Sequence, residues 1–128
     1  MIGSLKLKAE IFHGAEAAMS ADKASLLEAI DREGSISAAG RALGLSYRWT
    51  WVLVAAMNRC WAEPLVEASP GGGPRKGARL TATGRAVLAA YRALEAALLA
   101  AAHSAALDRL EALMAPQARP DPSALPEA

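Results

Sequence analysis

The stretch SISAAGRALGLSYRWTWVLVAAMNRCW (residues 35–61) predicts a short helix, a tight turn and a longer helix. Ser35 and Ser46 carry the type of side chain preferred at a helix N-cap, and Gly44 between them suits the left-handed conformation that ends a helix. This spacing is typical of a helix-turn-helix, although two helices joined by a glycine turn also occur in proteins that never contact DNA.

Both helices have an apolar side. The first is predicted to bury Ile36, Ala39 and Leu43, which recur at helical spacing. The predicted core face of the second consists of Thr50, Val54, Met57, Trp61 and the adjacent Trp51. Its front and flank are predicted to carry Tyr47, Arg48, Trp49 and Val52. Two faces on one helix indicate that one packs in a core while the other meets a partner.

Composition limits the class of protein. The chain has 128 residues, enough for one domain with its own core but not for two. Its hydrophobic content of 53% includes many alanines and a single Phe, which favours helices. The sequence has no apolar run of membrane-spanning length and no signal-peptide pattern at its start. With only one cysteine, Cys60, these features predict a cytoplasmic, mostly α protein.

Charge is unevenly distributed along the chain. Residues 1–40 contain four Lys/Arg and six Asp/Glu, residues 41–92 eight and two, and residues 93–128 two and five. The middle third therefore carries a net charge of +6 (eight minus two) in a protein whose total is +1. A basic segment of this kind is expected of a surface that meets nucleic-acid phosphates, although charge blocks often serve only solvation.

The segment before the helix-turn-helix predicts a strand followed by a helix. Apolar and charged residues alternate from Leu5 to Ile11, the pattern of a half-buried strand that needs a later pairing partner. A first helix is predicted from Asp22 to Glu33, with Gly34 as its end. This helix and the helix-turn-helix would form a core of three helices.

The segment after the helix-turn-helix predicts a β-hairpin. Residues 65–68 and 78–81 are short strand candidates, and the loop between them, PGGGPRKG (residues 70–77), is rich in glycine and carries Arg75 and Lys76. A hairpin with a basic tip beside a helix-turn-helix is called a wing. Part of the loop imitates a phosphate-binding loop, but Ala78 and Arg79 stand where Lys and Ser or Thr are required.

A long C-terminal helix is predicted from residue 83 or 84 to Met114, where Pro116 ends it. Its centre is apolar on nearly all sides, more than one small domain can cover, so we predict homodimerisation through it. The alternative is a helix that folds back near His103 and Ser104. The predicted interface residues are Val87, Tyr91, Leu94, Leu98, Leu99, Ala102, Ala106 and Leu110. The chain thus divides into a DNA-binding unit (residues 1–82), a dimerisation helix (83–115) and a disordered, proline-rich tail (116–128).

Catalytic and metal sites are not predicted. His13, His103 and Cys60 lie far apart on different elements, without the spacing of metal ligands. No acid, base and nucleophile are placed together as an enzyme would need. No cofactor is expected.

Contacts with DNA are predicted along the helix-turn-helix and the wing. Arg48 is the first choice for reading a base, because a guanidinium can bond a guanine edge at two points. Phosphate contacts orient a protein on the duplex without selecting sequence. The complete predicted set is Ser35, Ser37, Arg41, Ser46, Tyr47, Arg48, Trp49, Thr50, Asn58, Arg59, Arg75, Lys76 and Arg79.

Two segments resemble one family of bacterial regulators. LLEAIDREGSISAAGRALGLSYRWTWVLVAAMNRC (residues 26–60) and EPLVEASPGGGPRKGARLTATGRAVLAAYRALE (residues 63–95) are similar to the winged helix-turn-helix domain of ModE-type molybdate-responsive transcriptional regulators, and more distantly to LysR-type heads. The most specific pieces are GSISAA, LSYRWTW, AMNR, the glycine-rich wing and LTATGR. The resemblance implies a homodimer that binds an inverted repeat in double-stranded DNA.

Full ModE-type proteins carry molybdate-binding domains after the long helix, and this sequence has a proline-rich segment there. We therefore do not expect this sequence to bind molybdate itself. Two alternatives to a DNA-binding regulator stay open: a winged helix that binds a protein partner, and a small oxyanion-binding protein whose glycine-rich loop presents backbone N–H groups to an anion.

Overall fold

The helix-turn-helix and the helix before it form where the sequence predicts them. The structure is a computed structural model that describes residues 5–69 and 77–123. Helix α1 spans Ala21–Glu33, α2 Ile36–Ala42 and α3 Tyr47–Cys60. All three begin at a serine, and each serine hydroxyl accepts a hydrogen bond from the backbone N–H three residues on, at 3.1–3.2 Å. The capping serines are Ser20, Ser35 and Ser46.

Glycine ends α1 and forms the turn after α2. Gly34 and Gly44 have φ of 71° and 72°, a left-handed conformation that other residues rarely adopt. Leu43 was predicted to be buried in the face of α2, and this was wrong: it caps the helix and is exposed. The helix has already ended there, so the side chain leaves the apolar face that Ile36 and Ala39 share.

Two antiparallel β-hairpins flank the helices. Strands β1 (Ile11–His13) and β2 (Glu16–Met19) form the first, and β3 (Val66–Ser69) and β4 (Gly77–Leu80) form the second. The second is the predicted wing. The N-terminal strand exists but is shorter and later than predicted, because its pairing begins only at Ile11, and residues 5–10 have no regular secondary structure.

The wing is attached to the helices by backbone hydrogen bonds. Ala78 N–H donates to the carbonyl of Gly34, at the end of α1, over 2.8 Å. Thr81 N–H donates to the carbonyl of Leu65 over 2.9 Å. The base of the wing is therefore fixed relative to the helix-turn-helix.

The core lies between α1, α2, α3 and the two hairpins. Its largest fully buried side chains are those of Met19, Leu26, Leu27, Ile30, Met57, Leu65 and Tyr91. Tyr91 comes from the C-terminal helix, and its hydroxyl donates to the carbonyl of Ala9 over 2.6 Å. Burial raises the pKa of the Tyr91 phenol, which favours the protonated form that donates this hydrogen bond. This contact fixes the N-terminal segment to the core.

The C-terminal helix is broken where the alternative prediction placed a break. Helix α4 spans Ala82–Ala102 and α5 spans Ala105–Leu113, with a bend of 68° between them. The prediction of a single helix reaching Met114 was therefore wrong. The physical reason is Ser104, whose hydroxyl accepts a hydrogen bond from the N–H of Leu107 at 3.4 Å and starts a new helix. Residues 114–123 contain only bends, turns and irregular backbone.

Helices α2 and α3 cross at Gly40. A Cβ at this position would lie 2.1 Å from Oγ1 of Thr50, a side chain that is 1% exposed and has nowhere to move. Glycine here lets the two helices approach closely enough to define the helix-turn-helix angle.

Substituting Gly40→Ala is expected to lower the free energy of unfolding by about 1–3 kcal/mol, the usual cost of overpacking a core. Urea denaturation followed by circular dichroism measures this. Adding Thr50→Ala removes Oγ1 and Cγ2, the two atoms nearest to the new Cβ, so the double variant should lose less stability than the sum of the two single variants. Strictly additive losses would show that this crossing is not the point of contact.

Candidate nucleic-acid interface

The back of α3 is packed into the core. Thr50, Leu53, Val54, Ala56 and Met57 are all buried. Thr50 was predicted to contact DNA, and this was wrong. Its hydroxyl donates to the carbonyl of Ser46 over 2.8 Å, and only 1% of its surface is exposed. Thr50 therefore helps to hold α3 against α2 and is out of reach of a duplex.

The front of α3 is exposed. Tyr47, Arg48, Trp51, Val52 and Ala55 all face away from the core. This arc lies at the N-terminal end of the helix, directly after the turn from α2, and nothing in the described part of the chain covers it. The front of α3 is therefore accessible to a large partner.

Trp51 belongs to this front and not to the core, contrary to the prediction. It lies one turn after Tyr47, and the two rings meet edge to face with centroids 6.2 Å apart and an interplanar angle of 61°. Trp51 is 38% exposed, and Trp49, which was predicted on the front or flank of α3, is 52% exposed. A cluster of exposed aromatic rings is unusual on a surface without a partner.

Asn58, predicted to contact a phosphate, connects α3 to the wing. Its side-chain oxygen accepts from the N–H groups of Leu65 and Val66, at 2.9 and 3.1 Å. Its side-chain nitrogen donates to the carbonyl of Val66 over 3.3 Å. The side-chain oxygen and one of the two amide N–H groups are thus used beside the wing, so Asn58 has a structural role, and its assignment to DNA stays a prediction.

We expect Asn58→Ala to lower the free energy of unfolding by about 1–3 kcal/mol, because two backbone N–H groups lose their acceptor. Asn58→Asp keeps an oxygen acceptor for both and should be milder. Thermal denaturation of the three proteins compares them. If alanine and aspartate are equally damaging, the two accepted hydrogen bonds are not what Asn58 contributes.

Several of the basic residues in the middle of the chain form ion pairs. Arg59 pairs with Glu16, and Arg79 pairs with Glu67 at 3.3 Å. Arg85 and Arg92 also form ion pairs, in both cases with acidic residues of α1. The charge excess that the sequence shows is therefore partly neutralised by folding. Because these pairs are exposed and weak, they do not prevent contact with a phosphate, and the assignments of Arg59 and Arg79 to DNA stay predictions.

Arg41 and Arg48 differ from this group. Both are exposed, one at the end of α2 and the other in the first turn of α3. Within residues 5–69 and 77–123, neither forms an ion pair. The helix-turn-helix thus presents two uncompensated guanidinium groups. The remaining predicted cations, Arg75 and Lys76 at the tip of the wing, lie outside the described residues.

The three predicted serines lie at helix starts. The hydroxyls of Ser35 and Ser46 cap α2 and α3, and Ser37 is half-buried in the first turn of α2. A helix start exposes N–H groups suited to a phosphate, so their assignment to DNA also stays a prediction.

The C-terminal helices expose most of the predicted dimer interface. Leu94, Leu98 and Leu99 are exposed on α4, and Ala106 and Leu110 are exposed on α5. Val87 and Ala102 are half-buried. Tyr91 has to be removed from this interface, because it is 2% exposed and packs in the core of its own chain. No residue of α5 is buried.

Other kinds of site find little support in the described part of the chain. No group of three or more His, Cys, Asp or Glu side chains there is placed to hold a metal ion. Burial raises the pKa of the Cys60 thiol, with the carboxylate of Glu16 acting in the same direction, so the reactive thiolate is disfavoured.

Among the described residues, no single helix is long and apolar enough to cross a bilayer. Helices α4 and α5, which meet at the 68° bend, reach that length and apolar content only when taken together.

Several known proteins are similar to this one. No protein-family model matches the chain. It is 52% identical over 80 residues to the molybdenum-pterin-binding protein MopB of Rhodobacter capsulatus, a match that covers 62% of this chain and 30% of that protein. It is 44% identical over 93 residues to the molybdenum transport protein ModE of Azotobacter vinelandii, covering 73% and 33%. It is 36% identical over 87 residues to the transcriptional regulator ModE of Yersinia pestis, covering 68% and 31%. The matches span about a third of the length of these relatives.

A solved structure has the same fold. The crystal structure of the CbnR DNA-binding domain in complex with DNA superposes with a TM-score of 0.51 and 25% sequence identity, covering 71% of this chain and 95% of that one. Fold and exposed helix together define a winged helix-turn-helix domain of the DNA-binding class. Within that class, this chain contains a DNA-binding domain of the ModE type.

Proposed function

We propose that the protein is a sequence-specific transcriptional regulator that binds double-stranded DNA as a homodimer. The observation that carries this proposal is the exposed front of α3, which presents Arg48 among aromatic and aliphatic side chains while the back of the helix is held rigidly in the core. A rigid helix with a free face is what the major groove of B-DNA accommodates.

Helix α3 enters the major groove with its N-terminal end nearest the bases. This places Arg48 in the first turn, beside Tyr47, where a guanidinium reaches the O6 and N7 atoms of a guanine. Val52 follows one turn later. Arg41, at the end of α2, lies on the side of the sugar–phosphate backbone and contributes a phosphate contact. Arg48 thus selects a base, whereas Arg41 only positions the protein on the duplex.

The wing contacts the duplex beside the major-groove site. Arg79 lies in the described strand β4. Arg75 and Lys76, in the glycine-rich loop of the sequence, lie outside the described residues and stay predicted contacts. Glycines permit close approach of the backbone to DNA, and cations at a wing tip favour phosphates or the minor groove.

A second copy covers the exposed leucines of the C-terminal helices. Leu94, Leu98 and Leu99 on α4 and Leu110 on α5 are exposed large apolar side chains, and covering them in a dimer would remove apolar surface from water. A two-fold axis through these helices presents two copies of α3 to one side of a duplex, roughly 34–36 Å apart if they enter successive major grooves. Such an arrangement requires an inverted-repeat operator.

We further propose that the genes controlled by this protein are related to molybdenum. The support is the identity of 36–52% to proteins named for molybdenum transport, molybdenum-pterin binding and ModE regulation. Equilibrium dialysis against molybdate followed by metal analysis tests whether this chain takes up the anion itself. We expect no stoichiometric retention, and retention of one molybdate per chain would favour the oxyanion-binding alternative.

The experiment for the whole proposal is selection from a library of random duplexes with the purified protein. We expect recovery of an inverted repeat, bound by a dimer as measured by light scattering of the complex. Recovery of random sequences only, with binding abolished at moderate salt, would contradict sequence-specific regulation and favour a winged helix that binds a protein partner.

A further inference from the structure

The front of α3 is poor in hydrogen-bonding groups. Within Tyr47–Ala55, the exposed side chains with such groups are Tyr47, Arg48, Trp49 and Trp51, since the only other polar residue, Thr50, is buried. One turn beyond Arg48, the exposed arc carries Val52 and then Ala55. Apart from Arg48, the surface that enters the groove is therefore largely apolar.

This composition restricts which bases α3 can recognise. Asn or Gln side chains suit adenine and Glu or Asp suit cytosine, and residues 47–55 contain none of the four. Arg48 suits guanine. The apolar group that the major groove offers is the C5-methyl of a pyrimidine, which in unmodified DNA belongs to thymine.

The rings on the front of α3 are in contact with each other. The edge-to-face contact of Tyr47 and Trp51 restricts the motion of both rings, so Trp51 loses less conformational freedom on binding than an isolated ring would. Val52 follows Trp51 in the chain, is 44% exposed and has a branched side chain with restricted rotation. These two consecutive exposed residues, Trp51 and Val52, are called the apolar patch.

We infer that the apolar patch of Trp51 and Val52 reads the C5-methyl group of thymine, within one or two base pairs of the guanine bonded by Arg48. The inference rests on the proposed function, since it requires α3 to lie in the major groove. Thymine becomes a second base that α3 recognises, and Trp51 and Val52 become further residues that determine specificity. Each half-site should therefore contain a guanine and a thymine close together.

The test replaces individual thymines of the selected operator by deoxyuridine, which removes only the methyl group. Affinity is measured by fluorescence anisotropy for the unmodified protein and for Val52→Ala, whose exposed position leaves the fold intact. We expect one thymine per half-site at which deoxyuridine weakens binding by about four-fold, the value for one buried methyl group. With Val52→Ala the same replacement should have a clearly smaller effect, because the two changes are coupled.

The outcomes separate this inference from the proposed function. Specific binding that is indifferent to deoxyuridine at every thymine overturns the methyl contact and leaves the DNA-binding proposal standing. An equal loss for both proteins shows that Val52 does not contact the methyl group, which overturns the assignment to a patch made of both residues. A duplex with 5-methylcytosine at the cytosines distinguishes the two sources of a C5-methyl: a gain there without a loss from deoxyuridine rejects thymine. Failure to select any duplex removes both proposals together.

Discussion

Replacing Leu98 and Leu99 by glutamate is expected to convert a dimer into monomers while the winged helix stays folded. Both leucines are about 40% exposed on α4, where they touch little of their own chain (41% and 42%). Two buried charges per chain would cost far more than such an apolar interface gains. Because a dimer binds both half-sites together, operator affinity should fall on the order of 100-fold or more. Sedimentation equilibrium and anisotropy titration measure the two effects.

The matched control is Ala96→Glu with Ala100→Glu. Both alanines are exposed on the other side of α4, so this variant adds the same two charges per chain without touching the leucines. It should remain dimeric and lose only the small affinity that two extra negative charges cost near DNA. Monomers in the control, or a dimer that survives the leucine substitutions, would place the interface elsewhere.

Arg48→Ala is expected to remove most of the preference for guanine at one position in each half-site. A bidentate arginine contributes about 1–3 kcal/mol of discrimination. The Arg48→Ala protein should therefore bind the operator hardly more tightly than it binds duplexes in which this guanine is replaced. Competition between the operator and duplexes changed at single positions measures this. Arg48 is exposed and forms no ion pair in the described part of the chain, so the substitution should leave stability unchanged.

Arg41→Ala supplies the contrast. It also removes one exposed, uncompensated guanidinium from the helix-turn-helix, but in a position suited to phosphate. It should weaken all duplexes about equally and make the salt dependence shallower by roughly one phosphate contact. Identical behaviour of the two variants at two salt concentrations would show that Arg48 does not read a base.

The order and type of most elements could be predicted because their signals are local. A serine that caps a helix and a glycine that ends one act through atoms within three or four residues, as Ser46 and Gly44 do here. The break between α4 and α5 has the same kind of signal, since Ser104 is a capping serine followed by Asp108 in the first turn. The apolar periodicity on both sides of this serine favoured a continuous helix.

The site was harder to predict because its residues are distinguished by tertiary contacts. Asn58 lies seven and eight residues before its partners Leu65 and Val66, and Tyr91 bonds Ala9 at the other end of the chain. Neither contact leaves a pattern in the sequence. Trp51 was assigned to the core because it lies beside the apolar face of α3, whereas its position one turn after Tyr47 places it on the front. Angular position on α3 was the better guide.

The central claim is that the front of α3, and not the C-terminal helices, meets DNA. It is tested most directly by following backbone and indole amide signals of ¹⁵N-labelled protein in NMR spectra as the selected operator is added. The largest changes should fall on residues 46–52 and on the indole N–H of Trp51, and a scrambled duplex should produce smaller ones. Changes confined to α4 and α5, with the signals of Tyr47, Arg48 and Val52 unmoved, would contradict it.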